Sequence, residues 1–112
     1  MSAVHPLGEF EHLVLLAILR LEAQAHGFGI GRTLEADAGR TVSRGALYTT
    51  LDRLEAKGLV RWKLNAGGAE RGHLPRRVYG VTAKGLAAIR ASQQALARMS
   101  RGLESVLKHP DA

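Results

Sequence analysis

Between Ser43 and Val60 the sequence reads SRGALYTTLDRLEAKGLV, and its polar and small residues fall at helical spacing. At about 100° per residue, Leu47, Leu51 and Leu54 form one narrow stripe, with Gly45, Thr49, Asp52, Arg53 and Ala56 opposite and Ala46 and Tyr48 on the flanks. That second face suits recognition rather than bond making. Small residues let a backbone approach a groove floor closely, and alanine or threonine methyls can touch a thymine methyl. Arg53 can reach a guanine edge or a phosphate, while Ser43, Arg44, Tyr48 and Thr49 can hydrogen-bond phosphates. Plainer readings stand beside these: Tyr48 half-packed on the preceding helix, Arg53 paired with Asp52 on a solvated face. Asp52 is a poor phosphate contact and suits orienting an arginine or facing water.

Further cations follow at Arg61, Lys63, Arg71, Arg76 and Arg77. On alternating strands only about half of them can share one face. The net charge of +6 is uneven: residues 1–39 hold two basic side chains against five acidic, residues 40–77 nine against three. A basic excess concentrated around one amphipathic segment implies a polyanionic partner.

Catalytic constellations are missing from the sequence. It has no glycine-rich phosphate loop, no recognisable carboxylate pair and no His-x-x-x-His, and His5, His12, His26, His73 and His109 are scattered. Glu9, Glu11 and His12 could share a helix face, yet acids are common at helix starts. The expectation is no enzyme, no metal and no cofactor. With no cysteines, no apolar run long enough to span a bilayer and no secretory signal at MSAVHPLGEFEH, a cytoplasmic protein is expected, with no membrane partner.

The elements that must position these residues follow from periodicity. GEFEHLVLLAILRLE (8–22) is apolar on nearly every side, as in a helix at the centre of a core or shared with a partner. Ile30, Leu34 and Ala38 predict a short second helix ended by Gly39. Ser43 is the N-cap and Gly58 the stop of the third. The period then becomes two: LVRWKL and RRVYGV read as strands joined by the glycine-rich NAGGAERGHLP, with Val60, Trp62 and Leu64 facing the core. Thr82 caps a last helix in which Leu86, Ile89, Gln93, Leu96, Ser100, Leu103 and Leu107 form a heptad seam. About 25 residues would project roughly 37 Å, so the seam needs cover. A two-fold dimer through this seam and through Leu13 and Leu16 of the first helix is favoured over folding back on the first helix. The fold class is mainly α (α+β): a winged helix-turn-helix over residues 1–82, with a two-stranded β wing, and one long dimerisation helix over 83–112.

LGEFEHLVLLAILRLEAQAHGFGI, SRGALYTTLDRLEAKGLV and RRVYGVTAKG together resemble the PadR family of bacterial transcriptional regulators, over about residues 7–90. The resemblance implies a homodimer that binds an inverted-repeat operator in double-stranded DNA, usually as a repressor. It implies recognition-helix contacts at Ser43, Arg44, Gly45, Ala46, Tyr48, Thr49 and Arg53, with the wing cations on the DNA backbone. With one C-terminal helix the chain resembles the short-tailed members. A small-molecule effector would have no aromatic residue in that helix to stack on. The alternative function is a winged-helix protein-interaction module without specific DNA binding.

Overall fold

The computed structural model describes residues 7–65 and 75–109. Helix α1 (Glu9–Leu21) leads through a single tight turn at Glu22–Gln24 to α2 (Gly27–Ala38) and α3 (Arg44–Ala56). Strands β1 (Val60–Asn65) and β2 (Arg76–Val81) precede α4 (Ala83–Ser100) and the short α5 (Glu104–Lys108).

Each of the first three helices starts where a side chain satisfies an otherwise orphaned amide. Glu11 accepts from the Gly8 amide at 3.1 Å, and His26 Nδ1 accepts from the Gly29 amide at 3.1 Å. Ser43 Oγ accepts from the Ala46 amide at 3.1 Å. Gly39 ends α2 in the left-handed conformation (φ 64°).

The core is one cluster. Val14, Leu15 and Ile18 of α1 meet Ile30 and Leu34 of α2 and Leu47, Leu51 and Leu54 of α3. Leu59, Val60 and Tyr79 close it from the wing, and Ala88 and Ile89 from α4. Burying each large aliphatic side chain contributes about 1.5–3 kcal/mol, and Leu15, Ile30, Leu34, Leu51 and Leu54 are completely enclosed.

The two strands pair antiparallel, from Val60 opposite Val81 to Asn65 opposite Arg76. The other edge of β2 is fastened too, because the Tyr79 amide donates to the Ala25 carbonyl at 2.8 Å. Leu64 departs from the expected core face and is 62 % exposed. The hairpin has run past the helices by that point, so its alternation no longer meets a core.

The C-terminal region also departs from expectation. α4 stops at Ser100, Gly102 adopts φ 85°, and α5 begins at Glu104. The single long helix is therefore two, and the heptad seam is broken between Ser100 and Leu103. Ile89 is only 5 % exposed within its own protomer. It belongs to the core rather than to a free seam, because α4 packs its first two turns on α1 and β2. No helix among the described residues is long and apolar enough to cross a membrane.

Candidate nucleic-acid interface

Helix α3 presents two chemically distinct sides. Leu47, Thr50, Leu51 and Leu54 are buried, whereas Ser43, Arg44, Gly45, Ala46, Thr49, Asp52, Arg53 and Ala56 are exposed. A methyl group added at Gly45 would meet nothing within 4 Å, so the first turn of this face is open for a close approach. Arg44 and Arg53 form no ion pair among the described residues. Tyr48 is half-buried and packed against the core, with its ring and hydroxyl over Gly27 at the start of α2. A side chain at Gly27 would displace that ring, so the glycine sets how closely α2 and α3 approach.

Three attachments hold α3 by its C-terminal half. The Lys57 ammonium donates to Glu11 at 2.8 Å. Burial works to raise the Glu11 pKa, but the Lys57 and Gly8 hydrogen bonds and the charges of Lys57 and Arg53 outweigh it and hold the carboxyl below its ordinary value. The Thr82 hydroxyl donates to the Gly58 carbonyl at 2.7 Å and accepts from the Gly85 amide at 3.0 Å. Gly85 packs so tightly that an added methyl would collide with the Leu59 carbonyl and Val81. Asp52 lies 3.8 Å from the Arg77 guanidinium.

The wing cations divide by strand register. Arg61, Lys63 and Arg76 alternate onto one face and Arg77 onto the other with Trp62 and Tyr79. Arg61 and Lys63 are exposed and Arg76 is half-buried. Arg77 points away from them, as the strand alternation predicts. Its guanidinium stacks 4.1 Å from the centre of the Trp62 ring and reaches Asp52, bracketing the wing to α3. Burial raises the pKa of the neighbouring Tyr79, with Arg77 opposing it. Arg71 lies outside the described residues.

The residues expected at a dimer seam are split. Leu13 and Leu16 are half-buried and line a groove of about 350 Å³ between α1 and α2, crossed by the Arg20–Asp37 ion pair at 3.5 Å. On α4, Leu86 and Leu96 are 39 % and 62 % exposed, Gln93 is exposed and Ser100 half-buried. Leu103 and Leu107 stay exposed but sit on the far side of the Gly102 break. Met99 and Val106, outside the heptad reading, are the most exposed apolar side chains of this region.

Sequence reasoning missed Glu11 and His26. Glu11 left a signal, since an acid three residues after Gly8 is a capping-box position. His26 left none, because histidine is not among the favoured N-cap residues. Among the described residues no group of three His, Cys, Asp or Glu side chains could hold a metal ion.

A three-helix unit with an exposed third helix, followed by a two-stranded wing, defines a winged helix-turn-helix regulator. The sequence model of the transcriptional regulator PadR-like family matches residues 15–91, and the chain belongs to that family. It is therefore a transcriptional regulator and not an enzyme. Among solved structures it is similar to a PadR family transcriptional regulator from Eggerthella lenta. Identity there is 28 % over 88 % of this chain and 86 % of that one, with a TM-score of 0.65. A PadR-like transcriptional regulator from Bacillus cereus has 24 % identity over 88 % and 90 % of the chains, with a TM-score of 0.68. Bacillus subtilis PadR in complex with operator DNA shares the fold, with 15 % identity over 73 % and 46 % of the chains and a TM-score of 0.59. No curated protein matches the chain.

Proposed function

We propose that this regulator is a homodimeric repressor that binds an inverted-repeat operator with α3 in the major groove. The observation that carries the reading is the open outer face of α3, small at Gly45 and Ala46, hydroxylated at Thr49 and cationic at Arg53. Gly45, Ala46, Thr49 and Arg53 face base edges, while Ser43, Arg44 and Tyr48 hold the flanking backbone. Arg61, Lys63, Arg71 and Arg76 supply wing contacts to the backbone or minor groove, and Arg77 reaches the same strand from its bracket against Asp52. That Bacillus subtilis PadR, which shares the fold, forms a complex with operator DNA supports DNA as the partner here.

Dimerisation rests on α4 and α5, where Leu86, Leu96, Met99, Leu103 and Leu107 are exposed among the described residues. Two copies joined there would set their α3 helices about 34 Å apart, one turn of B-DNA. Occupying that site excludes other proteins from the same promoter DNA, which is how repression would follow.

Fluorescence anisotropy on duplexes from its own upstream region tests the reading. Binding should be tight and fall steeply with salt, as counterions displaced by the basic face return. Arg53→Ala should weaken operator binding by about 1–3 kcal/mol and relax sequence preference. Equal loss on every sequence would move Arg53 to a phosphate. Weak binding indifferent to salt would remove the proposal.

A further inference from the structure

A second cationic feature lies beside the recognition face, and it includes Arg32, to which nothing above gives a role. Between α2, the start of α3 and the start of β2 opens a cleft of about 510 Å³. Three arginines from three elements line it: Arg32 of α2, Arg44 of α3 and Arg76 of β2. None of the three forms an ion pair among the described residues. The one acidic side chain of the lining is Glu35, so the cleft keeps a net positive charge.

Unpaired guanidiniums converging from separate elements repel one another, and an anion with several oxygens relieves that repulsion. Arginine's planar fork matches phosphate geometry. Phe28 adds a second clue. It is 67 % exposed, and the Arg32 guanidinium lies 5.6 Å from the centre of its ring. An exposed ring under a guanidinium offers an apolar surface next to a charge, which suits a sugar next to a phosphate better than a free inorganic ion.

The position selects the source of the anion. Arg44 and Tyr48 line the cleft and also flank the open face of α3. The major groove is about 12 Å wide, close to the diameter of a helix with its side chains. A helix seated there has a phosphate wall within side-chain reach on each flank. We infer that the α2–α3 cleft receives a DNA backbone phosphodiester on the wall of the groove that holds α3. Arg32 is its dedicated contact, and Phe28 covers the adjoining deoxyribose. The inference rests on the proposed seating of α3 and extends the contacts from the recognition helix and wing to α2.

The test uses the full-length chain and its operator duplex. Arg32→Ala should bind operator and random duplex more weakly by the same factor. Its plot of log affinity against log salt should be shallower by about 0.9 per protomer, the loss of one phosphate contact. Arg32→Lys should keep the slope. Duplexes carrying one neutral methylphosphonate at a time should reveal a phosphate whose neutralisation weakens the wild type but not Arg32→Ala. Circular dichroism should show both variants folded, as the side chain is exposed.

If Arg32→Ala matches the wild type in affinity and slope while Arg53→Ala loses operator preference, the cleft assignment fails and the seating of α3 stands. If neither duplex binds the wild type, both fail. Inorganic phosphate titrated into the DNA-free protein separates the sources. Saturable binding abolished by Arg32→Ala, with DNA binding unchanged, would assign the cleft to a free anion and overturn the inference.

Discussion

Helices α3 and α4 begin alike and end differently. Each is capped by a hydroxyl, Ser43 or Thr82, that accepts from an amide three residues on. The buried side of α3 runs from Leu47 to Leu54, nearly its whole length, and what it leaves outside is small, polar or cationic. α4 buries Gly85, Ala88 and Ile89 in its first two turns, then carries Leu96 and Met99 into the open. The outer face of α3 is complete within one protomer and shaped for a charged, hydrated surface. The outer face of α4 exposes Leu86, Leu96 and Met99 among its polar residues, and water is a poor neighbour for those three. The same local design therefore serves a helix with a polar, cationic outer face and a helix that carries large apolar side chains into the open.

Truncating one enclosed leucine of α3 and one exposed leucine of α4 breaks the comparison most forcefully. Leu51→Ala empties a fully enclosed site and should cost about 2–5 kcal/mol in denaturant unfolding at every protein concentration. Leu96→Ala should cost the protomer under about 0.5 kcal/mol, yet flatten the dependence of unfolding on protein concentration that association produces. Equal losses from both at all concentrations would mean that α4 is as internal as α3.

The junction between the two helices comes next in size. Gly85→Ala should destabilise the fold by about 1–3 kcal/mol, because the new methyl meets the rigid Leu59 carbonyl rather than a yielding side chain. Differential scanning calorimetry reads this directly, and an unchanged midpoint would show that α4 can slide at its start.

Smaller and pH-dependent is the Glu11–Lys57 clamp at the C-terminal end of α3. Glu11 has a lowered pKa in the fold, so its stabilisation is fully present above the unfolded glutamate value near about pH 4.3. It is lost as pH falls through the lower folded value. Glu11→Gln should cost about 1–2 kcal/mol at neutral pH, and the gap from the wild type should close in acid. A gap constant with pH would show that the Lys57 contact carries no charge-dependent stability.

Legibility in the sequence tracked how local the cause was. Ser43, Gly58 and Thr82 mark ends through their own backbone chemistry, and the boundaries they mark were readable to within a residue or two. Both wing strands were readable because their alternation lies beside turn-forming residues. The fate of Ile89 was not readable. A heptad pattern says that a stripe needs cover, but the first two turns are covered by the chain itself and the later turns are not. Gly102 sits within a seam whose spacing continues correctly on both sides, so periodicity passes over a break that the left-handed glycine imposes. Of the candidate site, the outer face of α3 was legible from helical angles alone. That Arg76 and Arg77 face apart was legible from strand alternation, but the contacts of Arg77 were not, because Trp62 and Asp52, distant in sequence or on another element, decide where its guanidinium lies. Arg32 and Phe28 stayed unnoticed for the same reason, since their significance appears only when α2 and β2 meet across a cleft.

The hydrogen bond from Thr82 to the Gly58 carbonyl fastens the first residue of one helix's cap to the residue that ends another. The angle between α3 and α4 is thereby set at a vertex rather than at a hinge. In any pair of chains assembled through α4, that vertex acts as a gauge. The distance between the two α3 helices is inscribed in one angle counted twice, so a few degrees of change at Gly58, Thr82 or Gly85 would retune which spacing of half-sites the assembly can measure.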